Sequence, residues 1–347
     1  MDESVPLRVG VCWNELAARP DELRRVAEAS GAEPVMWEKG APAPADIDVL
    51  LAASVPDAVP RETPRLRLLQ LVSAGAEQLE THPVWRSDVQ IATASGVHGV
   101  QIAEHVLMLL LALRRHLPQY MAAQRRRLWR HDAVGDEGVS IAPEELYGLT
   151  LGLIGYGHIG CGVAHLARAF GMRVLATSAS RDDVAPLTIE GASPFADPPA
   201  VPVPTLAPDE FVPLARLDDI LVQADALVIC APLTRQTEGL IDARALSQLK
   251  ECALLVNIAR GKIVVEDALV RALLDGHLAG AGLDVTADEP LAADSPLWEM
   301  PNVIITPHVS GVTPRYAERT VNILLANLDH LRRGEPPLNL VDRTRGY

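Results

Sequence analysis

Apolar residues in this chain come in short, nearly unbroken runs divided by segments rich in glycine, proline and acid. Residues 7–13, 47–53 and 68–72 are such runs, too short for ordinary helices, and they are predicted as strands. Between the first two, residues 19–30 read as a helix. Runs without polar alternation suit a sheet covered on both faces, and strand–helix–strand succession makes that sheet parallel. Residues 102–117 read as a long helix, apolar nearly all round, which needs cover on several sides. A second series of apolar strands follows at 149–154, 172–177, 226–230, 254–257, 280–285 and 303–306, and a last helix at 315–333. The fold class expected is α/β, with two Rossmann-like doubly wound parallel-sheet domains.

The first strand of the second series runs into Gly155-Tyr156-Gly157-His158-Ile159-Gly160, a G-x-G-x-x-G turn that opens a helix. The first glycine permits the tight turn, the second lets a pyrophosphate approach the backbone, and the third lets helix and strand pack closely. A pyrophosphate would rest on the helix N-terminus, which makes this a dinucleotide site. Three later stretches follow strand ends: Asn257-Ile258-Ala259-Arg260-Gly261, Asp284-Val285-Thr286-Ala287-Asp288-Glu289-Pro290 and Thr306-Pro307-His308-Val309-Ser310-Gly311. Arg260 can grip a carboxylate with two N–H bonds and polarise a carbonyl oxygen. A Glu289–His308 pair can hold and deliver a proton near neutral pH. Ligands of doubly wound sheets bind beyond the carboxyl ends of the strands, where all of these residues fall.

Composition narrows the partners. With 347 residues the chain can form two cores, and its net charge of −14 argues against nucleic acid or an anionic membrane surface. The longest uninterrupted apolar stretch, 106–113, is far too short to span a bilayer. Cys12, Cys161, Cys230 and Cys252 form no C-x-x-C or His/Cys cluster, so no metal site is expected and the thiols read as reduced. The first seven residues carry acids and no apolar leader core, and a cytoplasmic location is expected.

In its landmarks the chain resembles the D-isomer-specific 2-hydroxyacid dehydrogenases. The matching pieces are residues 72–75, 103–105, the glycine motif, 231–234, 257–261, 282–290 and 306–311, in this order and across nearly the whole length. The resemblance implies a nucleotide-binding domain inserted into a discontinuous substrate domain. Its first part would be 1–98, the dinucleotide-binding domain 99–311, and the C-terminal return 312–347. It also implies roles. Arg260 would bind the substrate carboxylate and keto oxygen, His308 would protonate that oxygen, and Glu289 would hold the imidazolium. Backbone amides of Ser73, Ala74 and Gly75 would cradle the carboxylate, Asp284 would bind the nicotinamide carboxamide, and Pro232 would border the cofactor. His98, His105, His116 and His131 are read as structural, since the motifs set no acid or arginine beside them. A homodimer that buries the helix beginning near Ile102 is expected, because an all-round apolar helix needs that cover.

Two features depart from the family pattern. Members that prefer NAD end the strand after the glycine motif in an acid that binds the ribose hydroxyls. Here Thr177 is followed by Ser178-Ala179-Ser180-Arg181, which suits a 2′-phosphate, so NADP(H) is favoured over NAD(H); Asp182 and Asp183 come next and could restore an acid. The second departure is the proline-dense segment 186–213, read as a surface excursion. The loop Ala52-Ala53-Ser54-Val55 lacks a cation for a phosphate group and points to a compact anionic 2-keto acid such as glyoxylate or hydroxypyruvate. Two alternatives stay open: a dinucleotide-sensing, co-repressor-like scaffold without significant turnover, and a phosphite- or phosphonate-type dehydrogenase of the same fold.

Overall fold

The computed structural model describes residues 5–38, 40–129, 144–178 and 207–344. The chain divides between His98 and Gly99 and between Val312 and Thr313, so that residues 5–98 and 313–344 form one unit and the described residues between them another.

In the first unit the strands are β1 (Val9–Cys12), β2 (Val35–Met36), β3 (Val49–Ala52), β4 (Leu68–Leu71) and β5 (Gln90–Ala92), with helices α1 (Asn14–Ala17) and α2 (Pro20–Ser30). They pair in parallel in the order β2-β1-β3-β4-β5. Along β3 the side chains alternate between two cores. Val49 and Leu51 join Val9, Val11, Leu324 and Leu328, while Leu50 and Ala52 join Leu69, Leu71 and Ile91. Both faces are therefore dry, which is why the sequence shows an apolar run instead of alternation. Pro20 opens α2 without the N–H it lacks being missed, and Gly31 closes it in the left-handed region at φ 78°.

The second unit holds helices α3 (Gly99–Arg114) and α4 (Leu117–Arg125), then β6 (Thr150–Ile154), α5 (His158–Ala169), β7 (Arg173–Thr177), β8 (Glu210–Phe211), α6 (Leu217–Leu221) and β9 (Ala226–Ile229). It continues with α7 (Ala243–Gln248), β10 (Ala253–Asn257), α8 (Glu266–Leu274), β11 (Leu278–Leu283) and β12 (Val303–Ile305). Its described strands form one sheet in the order β12-β11-β10-β9-β6-β7-β8, parallel throughout. The order reverses between β6 and β9, which opens the crevice where such sheets take their ligands. Helix α9 (Tyr316–Arg333) belongs to the first unit and packs Val321, Leu324 and Leu328 on its sheet. The fold is thus two doubly wound parallel sheets, one domain inserted in the other.

Two local expectations are corrected. The helix expected at 102–117 starts earlier, at Gly99, and ends at Arg114; His116 takes φ 55° and Pro118 stands in the first turn of a new helix, where a proline cannot extend the old one. The end of the proline-dense segment is not an excursion, because Glu210 and Phe211 pair with β7 as the sheet's edge strand, flanked by Pro208 and Pro213. Residues 186–206 of that segment lie outside the described residues.

Candidate active site

The dinucleotide turn sits at the sheet's reversal. Gly155 leaves β6 at φ 101°, and a Cβ there would lie 2.5 Å from the Ala231 nitrogen, beyond the end of β9. Only glycine fits so close an approach of two backbones. At Gly160 a Cβ would be 2.3 Å from the Gly155 carbonyl oxygen, so the third glycine lets α5 press on the turn. Gly157 is different, since a Cβ there would meet nothing within 4 Å. It stands before the first turn of α5 and leaves that backbone open to an approaching pyrophosphate, so these residues fit the dinucleotide. His158 and Ile159 are half-buried, and Tyr156 is buried with its ring edge-on to Phe211, which leaves only its backbone to the cofactor. Ser178 follows β7 and is buried; Ser180 and Arg181 lie outside the described residues. The Pro232 carbonyl accepts a 2.7 Å bond from the buried Thr237 hydroxyl, which fixes the turn after β9.

Arg260 follows β10 on a loop braced by Asn257. The Asn257 amide accepts from the Ala259 nitrogen and donates to the Arg260 carbonyl, both at 3.0 Å. One Arg260 guanidinium nitrogen donates to the Ala259 carbonyl at 2.8 Å. Gly261 then touches the loop after β11, where a Cβ would lie 2.0 Å from the Thr286 carbonyl. Glu266, in the first turn of α8, steadies the same loop by accepting from the Ala287 nitrogen at 3.0 Å.

Glu289 and His308 are joined directly, Oε2 to Nδ1 at 2.8 Å, while the other Glu289 oxygen accepts from the Thr286 nitrogen at 3.4 Å. A carboxylate can only accept here, so Nδ1 carries the hydrogen and Nε2 is the nitrogen that can exchange a proton with a ligand. Both side chains are partly exposed. His308 itself takes φ 53°, a conformation that costs a residue bearing a Cβ about 1–3 kcal/mol.

Asp284 holds that conformation in place. Its carbonyl accepts from the His308 nitrogen at 2.8 Å. Oδ1 accepts from the Thr306 hydroxyl at 2.6 Å and the Val309 nitrogen at 3.0 Å, and Oδ2 from the Ser310 nitrogen at 3.0 Å. Burial pushes this carboxyl up, but the bonds from Ser310, Thr306 and Val309 outweigh burial and hold it below the ordinary carboxylate range. Asp284 was expected at the nicotinamide; its oxygens here also serve the chain itself.

His105, read from sequence as structural because the motifs set no acid or arginine beside it, does have an acid nearby in the structure. Its Nε2 lies 3.0 Å from the Thr306 hydroxyl and 3.9 Å from Asp284 Oδ1. Burial lowers its pKa, against the opposing charge of Asp284. Asn257, Thr306 and Glu266 also escaped the sequence reading as site residues, because their bonds run to backbone and hydroxyl groups that no motif spacing reports.

In the first unit, Ser73, Ala74 and Gly75 follow β4. The Ser73 hydroxyl donates to the Gly75 carbonyl at 2.7 Å, and the Ala94 nitrogen donates to the Ser73 carbonyl at 2.8 Å, so the turn is tied down from both ends. Among the described residues no group of three or more His, Cys, Asp and Glu is placed to hold a metal ion.

Comparison with known proteins agrees with this layout. Residues 107–310 match the family described as D-isomer specific 2-hydroxyacid dehydrogenase, NAD binding domain. The chain is 32% identical over 301 residues to a glyoxylate reductase of Pyrococcus furiosus, covering 86% of this chain and 83% of that protein. It is 33% identical over 324 residues to a D-3-phosphoglycerate dehydrogenase of Mycobacterium bovis, covering 92% of this chain and 53% of that longer protein. Among solved structures, a D-isomer specific 2-hydroxyacid dehydrogenase from Xanthobacter autotrophicus Py2 in complex with NADPH and MES superposes with a TM-score of 0.78 at 26% identity, covering 99% of this chain and 100% of that one.

Proposed function

The chain belongs to the D-isomer-specific 2-hydroxyacid dehydrogenase family, NAD(P)-dependent oxidoreductases of 2-keto and 2-hydroxy acids, and on that premise we propose that it reduces a small 2-keto acid such as glyoxylate with NADP(H) preferred. The observation that carries the reading is the 2.8 Å Glu289–His308 pair, set at strand ends beside the loop of Arg260.

The roles follow from the chemistry of each group. Arg260 binds the substrate carboxylate and draws electron density from the keto oxygen. His308 gives the Nε2 proton to that oxygen in reduction and takes it back in oxidation, while Glu289 orients the ring through Nδ1. The amides of Ser73, Ala74 and Gly75 bind the carboxylate. Residues 155–160, Pro232 and Ser178 hold the dinucleotide, with Asp284 assigned to its carboxamide end. The nicotinamide, when bound, supplies the hydride. Preference for NADP(H) rests on the end of β7, where Ser178 offers a hydroxyl and no acid stands, and on Ser180 and Arg181 beyond it. A relative's structure with NADPH supports it.

We also propose a homodimer. Met108, Leu117, Tyr120, Met121 and Trp129, on and after α3 and α4, are exposed apolar side chains that a second copy would cover. Among the described residues no helix is long and apolar enough to cross a membrane. The four cysteines are free thiols, and burial pushes Cys230 up to about 12, which suits an inert thiol in a reducing cytoplasm.

The test is turnover of NADPH and NADH with glyoxylate, hydroxypyruvate and pyruvate. We expect reduction with kcat/KM higher for NADPH, a loss of ~10²–10⁴ in kcat for His308→Ala, and a raised KM as well for Arg260→Ala. Undiminished turnover in His308→Ala would remove the mechanism, and a clear NADH preference would remove the cofactor assignment.

A further inference from the structure

The proposed reaction leaves His105 without a duty, although it lies within reach of the residues that hold His308. Hydrogen counting fixes what it does there. The Asp284 carboxylate can only accept, so the Thr306 hydroxyl, 2.6 Å from Oδ1, must spend its single hydrogen on it. That hydroxyl is then left with lone pairs toward His105 Nε2 at 3.0 Å, so the imidazole is the donor and carries its hydrogen on Nε2. A directed chain results, from His105 to Thr306 to Asp284. The amides of Val309 and Ser310 donate into the same carboxylate, immediately after a His308 whose backbone is held in the left-handed region.

We propose that His105 and Thr306 are positioning residues for His308: by orienting the Asp284 carboxylate they clamp the loop that aims the imidazole at the keto oxygen. The proposal rests on the reading of His308 as the acid–base group. His105 is suited to it because α3 is a fixed mount. A Cβ on Gly162 of α5 would come within 2.9 Å of the Gly99 carbonyl and 3.3 Å of the Ala103 side chain, so the two helices are in close contact. One on Gly282 of β11 would lie 3.0 Å from the Leu109 side chain. Burial lowers the His105 pKa and so favours a neutral imidazole, whose one hydrogen the Thr306 lone pair draws to Nε2. A strained loop fastened from a rigid helix has a defined geometry, whereas one fastened only to itself can relax.

The experiment compares His105→Phe, His105→Gln, Thr306→Val, Thr306→Ser, the His105→Phe/Thr306→Val double variant and His308→Ala in the full chain. Each is assayed with NADPH and whichever of glyoxylate, hydroxypyruvate or pyruvate the wild type reduces fastest. Misaiming by about 1 Å can cost on the order of 10²-fold, so His105→Phe and Thr306→Val should lose about ten- to a hundredfold in kcat, with the KM for NADPH little changed. Gln can donate from the same reach and Ser keeps the hydroxyl, so both should stay within about threefold of wild type. The double variant should be no worse than the weaker single, since each breaks the same chain. Wild-type kcat in His105→Phe, with His308→Ala inactive, overturns the clamp and leaves the function standing. Full activity in His308→Ala overturns the function and the clamp together. Should His105→Phe fail to fold, the Thr306 pair decides, because equal kcat in Thr306→Val and Thr306→Ser overturns the clamp.

Discussion

Replacing Gly261 by alanine would drive the loops after β10 and β11 apart with a single methyl group. The new Cβ would lie 2.0 Å from both the carbon and the oxygen of the Thr286 carbonyl and 2.4 Å from the Ala287 nitrogen. Ordinary contact begins at 3.4 Å, so the backbones must separate by the difference, about 1.4 Å. No flexible side chain can yield in their place, since all three atoms are main chain. The displaced loop carries Glu289, bonded to the Thr286 nitrogen and to His308, and the displaced partner is the neighbour of Arg260. Overpacking of this kind costs ~1–3 kcal/mol of stability, and a shift of this size at a reacting centre costs about 10² in rate. The expected result for Gly261→Ala is therefore a lower Tm with kcat/KM for the keto acid reduced by about a hundredfold. NADPH affinity should be nearly unchanged, because the turn at Gly155–Gly160 is untouched. Reductase kinetics, cofactor titration and thermal melting together make the test. Wild-type kcat/KM at an unchanged Tm would refute the close approach of the loops after β10 and β11.

Two further outcomes are expected. Asp284 has a depressed folded pKa, so its stabilising contribution is fully present above the unfolded value of about 3.9 and is lost as pH falls through the lower folded value. Asp284→Asn should lower stability at neutral pH and remove that acid-dependent part. A denaturation midpoint with the same pH dependence as wild type would show that the carboxylate is not the anchor. In sedimentation velocity at micromolar concentration the protein should run as a dimer, and Met121→Asp should give a folded monomer; a wild type that stays monomeric would contradict the dimer.

The strands were legible because their burial on two sides erases alternation and leaves runs such as residues 47–53 that helices of ordinary length do not match. The break between α3 and α4 was masked by Leu117, which continues the apolar pattern across a turn set by His116 and Pro118. Strand β8 was masked by the prolines at either side of it, which in a sequence speak against sheet but at an edge are tolerated. Glu289 and His308 stand on motifs whose resemblance to the family implies a pair, and they lie in direct contact. The path from His105 to Asp284 could not be read in the same way. Its members come from α3 and from the segments after β11 and β12, residues 105 and 306 are 201 positions apart, and hydrogen-bond direction leaves no trace in hydrophobic periodicity.

Arg260, Glu289, His308 and the glycine turn all belong to the second unit, on loops leaving one sheet that has seven strands among the described residues. On the proposed function, coenzyme and proton chemistry are thus inherited as a single piece, with their mutual geometry fixed by one set of strand ends. On that same proposal, the loop at 53–55 in the other unit can diversify under selection for a new acid without disturbing hydride transfer, while the turn at 73–75 keeps the carboxylate common to all 2-keto acids. Such a division favours a repertoire: many substrates served by one reaction module, and a natural seam along which to recombine relatives when a different 2-keto acid is wanted.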